Sequence, residues 1–120
     1  MAPQPLCESD FRFMQVIWAN EPLSSSQLVA LCADQLGWKK STTYTMLRKL
    51  CAKGFLQNQD STVRALVPRD QVQATESKQF VDQRFAGSLP QFLVSFLGGQ
   101  KINAAEAETI KRLIDEYRED

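Results

Sequence analysis

A chain of 120 residues, 43% of them apolar, has the length of one small domain plus an extension and too much apolar content for a disordered chain. Its 14 basic and 14 acidic residues cancel to zero net charge, so any electrostatic function must come from local segregation of charge. Histidine is absent, which removes Ser–His and Cys–His nucleophile pairs, the commonest general base and every His-bearing zinc site, and neither an enzyme nor a cofactor is expected.

The chain carries no signal-peptide pattern: Met1 to Asp10 contains Glu8 and Asp10 and no apolar stretch. No run approaches the ~18 apolar residues of a membrane span. Cys7, Cys32 and Cys51 are odd in number and widely spaced, which reads as reduced thiols in a cytoplasmic protein with no membrane partner. No CxxC pair, phosphate-cradling glycine loop or HExxH occurs. The carboxylates read as scattered over solvated surfaces.

In chain order, residues 8–19 place Phe11, Met14, Ile17 and Trp18 at helical spacing, and Asn20-Glu21-Pro22 stops them. Ser24 is the predicted N-cap of a second helix, with Gln27 as its capping-box partner and Leu23 and Leu28 at the staple positions. Leu28, Leu31, Cys32 and Leu36 make its apolar stripe, and Gly37 ends it. After a connection through Trp38, expected to set the angle to the next helix, a third helix spans Ser41 to Lys53 and closes at Gly54. Phe55 to Gln59, a turn at Asp60-Ser61, and Thr62 to Val67 predict a short hairpin. Helix, helix-turn-helix and hairpin in that order describe a winged helix domain over residues 1–68. Residues 70–86, 88–97 and 104–118 predict three more helices, with Asp70, Ser88 and Asn103 as N-caps and Glu106 completing a second capping pattern with Asn103. The expected fold class is mainly α with a small β-hairpin wing: a winged helix-turn-helix domain, then a helical dimerisation region over residues 69–120.

Charge is segregated in one place. From Gln35 to Gln59 there is no Asp or Glu, while Lys39, Lys40, Arg48, Lys49 and Lys53 supply five positive charges. Those basic residues alone would describe a solvated helix face, and what lies between them changes the reading. Thr43, Met46, Leu47 and Leu50 form the buried stripe of the third helix. The opposite side carries Ser41, Tyr44, Thr45 and Arg48, flanked by Thr42 and Lys49. A merely solvated helix fills that side with Glu, Lys and Gln. Here hydroxyls can bond base edges or phosphates, Arg can grip guanine with two bonds, and the absence of carboxylates avoids repelling phosphate. Lys39, Lys40, Ser41, Thr42, Tyr44, Thr45, Arg48 and Lys49, with Arg64 on the hairpin, are therefore the candidate contacts to double-stranded DNA.

The C-terminal arm holds more large apolar side chains than an extension can bury alone. Phe80, Phe85, Leu89, Phe92, Leu93, Phe96, Leu97, Ile110, Leu113, Ile114 and Tyr117 are the candidate dimer contacts, a second copy of the arm being the simplest cover. Trp18 and Trp38 read as packing residues, and Cys32 and Cys51 as small buried hydrophobes.

Four segments carry a family resemblance: FRFMQVIW (Phe11–Trp18), KKSTTYTMLRKLCAKGFL (Lys39–Leu56), FVDQRFAGSLPQFLVSFL (Phe80–Leu97) and KINAAEAETIKRLIDE (Lys101–Glu116). In order and spacing they resemble the penicillinase-repressor (BlaI/MecI/CopY) family of winged-helix transcriptional regulators, from about Leu6 to Glu116. The resemblance implies a dimeric repressor whose winged helices each bind half of a palindromic operator, with Ser41, Thr42, Tyr44, Thr45 and Arg48 facing the major groove. It also aligns Ser95-Phe96 with the Asn-Phe bond cleaved in antibiotic-responsive members, and so implies an upstream sensor or protease as a further partner. Three departures stand against a full transfer. Asn is replaced by Ser95, the wing tip Gln59-Asp60-Ser61-Thr62 lacks the usual Gly or basic residues, and the paired C-terminal cysteines of copper-responsive members are missing. Zero net charge and the poor wing leave two alternatives open, a winged-helix protein-interaction module and a small-molecule-responsive regulator.

Overall fold

The computed structural model describes residues 6–120; the first five residues of the expected 1–68 domain lie outside it. The elements run α1 (Glu8–Asn20), β1 (Leu23–Ser24), α2 (Ser25–Leu36), α3 (Lys40–Ala52), β2 (Leu56–Gln59), β3 (Thr62–Ala65), α4 (Arg69–Arg84), α5 (Leu89–Gly98) and α6 (Ala104–Tyr117). This is the expected class, a largely helical chain with a small antiparallel sheet.

Local chemistry sets most of the boundaries. Ser24 Oγ accepts the Gln27 N–H at 3.0 Å while Gln27 Oε1 accepts the Ser24 N–H at 2.9 Å. Two otherwise unpaired donors at the start of α2 are thereby satisfied together. Leu23 and Leu28 on either side of the cap are both buried. Gly37 ends the helix at φ 70°, a left-handed conformation that costs a residue with a Cβ about 1–2 kcal/mol. Ser88 accepts the Gln91 N–H at 3.1 Å to start α5, and Asn103 accepts the Glu106 N–H at 2.8 Å to start α6. α4 begins one residue earlier than expected. The Val72 N–H bonds to the Pro68 carbonyl at 3.2 Å, so Asp70 is not the N-cap. It sits in the first turn, where its charge still favours the positive end of the helix dipole.

The sheet has one strand more than the expected hairpin. Its order is β1-β3-β2, all antiparallel, with Leu23 opposite Val63 and Ser24 opposite Thr62. Beyond β1, Glu21 Oε1 accepts the Ala65 N–H at 3.0 Å, satisfying a strand donor past the end of the β1 ladder. The β2–β3 hairpin closes through Asp60 and Ser61 at φ 52° and 60°, the paired positive φ of a type I′ turn whose twist suits the flanking strands.

The chain divides after Ser77, within α4, into two compact units. In the first, Phe13, Met14, Val16 and Ile17 of α1 pack with Leu28 and Cys32 of α2, Leu47 and Leu50 of α3, Phe55, Leu56 and Val63 of the wing, and Val72 of α4. At ~1.5–3 kcal/mol for each large side chain fully buried, this cluster dominates the stability of the unit. The expected stripe of α1 needs correction. Phe13 and Val16 are buried while Phe11 and Trp18 are only partly so, because α2, α3 and β3 surround the helix over a wider arc than one face. Phe11 and Trp18 meet edge to face at 5.6 Å, and Trp18 Nε1 donates to the Val67 carbonyl at 3.0 Å. Trp38, in the α2–α3 connection, stacks on Phe13 with 5.6 Å between centroids.

The second unit, Lys78–Asp120, holds the end of α4 with α5 and α6. Phe80, Phe85, Phe92 and Phe96 form a chain of ring contacts with centroids 5.4–6.2 Å apart. Yet no residue of this unit is buried. An apolar groove of about 770 Å³ runs along it, lined by Phe92, Leu93, Phe96, Leu97, Ile110 and Ile114 among others.

Candidate nucleic-acid interface

The candidate reading helix, α3, is held from behind. Leu47 and Leu50 are buried, and so is Thr43, whose hydroxyl donates to the Lys39 carbonyl at 3.3 Å. Cys32 of α2 is buried behind this helix and Cys51 of α3 is half-buried. Burial pushes both thiols above their usual value, so they stay protonated and act as packing groups.

With that side fixed, α3 turns Ser41, Thr42, Thr45, Arg48 and Lys49 outward, all exposed, and Lys39 and Lys40 stand exposed at its start. Tyr44 is half-buried against the core, with the Lys40 ammonium 6.0 Å from its ring centre. Arg48 Nη2 reaches Thr45 Oγ1 at 3.5 Å. Seven of the predicted residues are therefore brought to one surface. The start of α3 is electrostatically open. Its N-cap, Lys39, makes no side-chain cap bond, and the first turn holds no acidic residue. Two lysines at the positive end of a helix dipole repel it, a cost that an arriving phosphate would remove.

Lys49 is placed differently from its neighbours. Its ammonium lies 2.8 Å from Asp10 Oδ1, and Lys53 approaches Asp10 Oδ2 at 3.9 Å. Asp10 itself is 1% exposed, which corrects the expectation that every carboxylate is solvated. Burial raises its pKa, and the bonds from Lys49 and Cys7 outweigh that and leave it lowered. Sequence reasoning missed Asp10 although a signal was present. It stands three, four and seven positions before Phe13, Met14 and Ile17, on the face that α1 buries. Among the described residues no ion pair engages Lys39, Lys40 or Arg48.

Arg64 is exposed on β3, directly opposite Gln57, and with Gln57, Gln59, Asp60 and Thr62 it lines a shallow polar hollow on the wing. Of the candidate dimer residues, the four phenylalanines share one cluster, while Leu89, Leu113 and Tyr117 are exposed, Tyr117 by 82%. Val94, outside the predicted set, is 65% exposed. Ser95 and Phe96 lie inside α5, so the bond between them is helical. No helix among the described residues is long and apolar enough to cross a membrane, and no group of three metal-ligating side chains occurs among them.

Comparison with known proteins identifies a family. Residues 6–116 match the sequence model of the family described as penicillinase repressor. The methicillin resistance regulatory protein MecI of Staphylococcus aureus (strain Mu50) is 20% identical over 114 residues, covering 92% of this chain and 93% of that protein. MecI of Mammaliicoccus sciuri is 19% identical with the same coverage. The penicillinase repressor of Bacillus licheniformis is 20% identical over 118 residues, covering 94% of this chain and 91% of its own length. With the family match spanning nearly the whole chain and a winged, helix-rich structure to accompany it, this protein belongs to the penicillinase repressor family.

Proposed function

We propose that the protein is a dimeric transcriptional repressor that occupies a pseudo-palindromic operator, reading each half-site with the outward face of α3. The observation that carries the proposal is that face: hydroxyls and one arginine, without a carboxylate, on a helix locked by the core and opened by Lys39 and Lys40 at its uncapped start. Thr42, Thr45 and Arg48 supply the base-edge donors and acceptors, and the lysines supply phosphate contacts. The names of the relatives, a regulatory protein and a repressor, support a role in shutting off transcription. Dimerisation is supported by the second unit, whose apolar groove and aromatic cluster have no buried residue in one copy. Pairing two such arms would cover them and hold two reading helices for one duplex. Release by an upstream sensor or protease at Ser95-Phe96 would require α5 to unwind first, because that bond is helical.

Mobility shift tests the reading, with the DNA upstream of the protein's own gene run against a mixed-sequence duplex. Preferential binding is expected, falling by orders of magnitude from low to moderate salt. Arg48→Ala should cost about 1–3 kcal/mol of that preference. Binding that is indifferent to both sequence and salt would overturn it.

A further inference from the structure

Asp10 and the two lysines it holds make an arrangement that DNA reading alone does not call for. Lys49 of α3 and Lys53, its C-cap, are four positions apart and converge on the two oxygens of one buried carboxylate, at 2.8 Å and 3.9 Å. Lys49 also stands beside Arg48 and four positions after Thr45, so a free Lys49 would fall on the reading face. The carboxylate is fixed in turn. It sits at the third position of α1, three residues after the N-cap Cys7, and is 1% exposed.

We propose that Asp10 is a positioning and specificity-determining residue, which fixes the rotation of α3 and withholds Lys49 and Lys53 from phosphate. This rests on the function proposed above. Sequence-independent DNA affinity grows with each phosphate a lysine neutralises, whereas base readout does not. Holding two lysines back confines the phosphate contacts of this helix to Lys39 and Lys40, and lowers binding to random DNA relative to binding at an operator. An anionic clamp behind the reading helix thus sets the ratio between the two modes.

The test uses the full chain and a mixed-sequence duplex of about 30 base pairs, roughly three helical turns, with affinity followed against salt. Asp10→Asn should steepen the slope of log K against log salt by about 0.9 for each lysine released, and narrow the preference for the protein's own upstream DNA. Asp10→Glu should restore the original slope. Lys49→Met should leave the slope unchanged, since that lysine is not on phosphate. A slope that flattens by about 0.9 per protomer in Lys49→Met, or stays fixed in folded Asp10→Asn, overturns the proposal. Carboxyl NMR on the unmodified protein decides independently of whether Asp10→Asn folds. The Asp10 titration midpoint should stay depressed when duplex is added, and a rise toward the ordinary carboxylate value would mean that Lys49 had left for phosphate. If the unmodified protein ignores salt and sequence, the repressor reading fails and this proposal falls with it; a salt-sensitive, selective protein with the wrong variant slopes overturns this proposal alone.

Discussion

Burial alone would raise the pKa of the Asp10 carboxyl, but the hydrogen bonds from Lys49 and Cys7 and the charge of Lys49 leave it below its ordinary value of 3.8. A carboxyl whose pKa falls on folding adds stability that is complete above the unfolded value and is lost as pH drops through the folded one. Lys49 shows the same pair from the other side. Its bond to Asp10 raises its pKa above 10.5, so that contribution is complete at neutral pH and fades only in strong alkali. Denaturant titrations between pH 7 and pH 2 should therefore show the unmodified protein weakening at and below about pH 4. Asp10→Asn should be less stable at pH 7 but lose less on acidification, so the two curves converge. Parallel curves would show that the pair adds nothing to the fold. The exposed pairs Lys78–Asp82 and Lys111–Glu108 contribute little to such a profile, since surface ion pairs are weak. At this scale helical spacing in the sequence was enough to turn Ser41, Thr42, Thr45 and Arg48 of α3 outward, but not to show that Tyr44, expected on the same face, is half-buried against the core. It did not show that Lys49 is engaged, since its partner lies on another helix, 39 positions earlier in the chain.

Elements whose limits are written in local chemistry were legible, and those that depend on distant partners were not. The capping box at Ser24, the stop at Gly37 and the two-residue turn at Asp60-Ser61 each need only a few neighbouring residues. β1 is only two residues long and overlaps the cap of α2, so no alternation could reveal it, and its partner β3 lies far downstream. The same limit explains the width of the buried arc on α1, which is set by what surrounds it. The wing tip offers a direct check. Asp60 and Ser61 both hold positive φ without being glycine, and the part that Ser61 plays for α2 is a backbone one, its carbonyl accepting the Ser25 N–H at 3.0 Å. Ser61→Gly should keep that bond and relieve the left-handed strain, raising stability by about 1 kcal/mol in thermal or denaturant unfolding. A loss of stability would mean that the Ser61 side chain supports the turn.

Two units with very different interiors make up the molecule, and that contrast supports the proposed assembly. The first closes a core of fully buried side chains, whereas the second displays its phenylalanines, leucines and isoleucines with none buried. Leaving so much apolar surface in water favours aggregation unless a partner covers it. Counting apolar residues was enough to predict an apolar arm; the directions of those side chains, and hence the groove between α5 and α6, depend on packing that no spacing rule supplies. Phe92 contacts the rings of Phe80, Phe85 and Phe96, so Phe92→Asp should convert a dimer to a monomer in sedimentation at micromolar concentration. Trp18 and Trp38 belong to the first unit and should report its core intact. Operator affinity should drop steeply, because two linked reading heads bind far more tightly than one. A compact monomer for the unmodified protein would rule out the paired arms. The account as a whole meets its most direct test in a footprint across the DNA upstream of the protein's own gene. It predicts two protected major-groove patches related by a two-fold axis, their centres one helical turn or a whole number of turns apart. A single patch, or uniform protection along the duplex, would contradict a dimer that reads an operator with paired α3 helices.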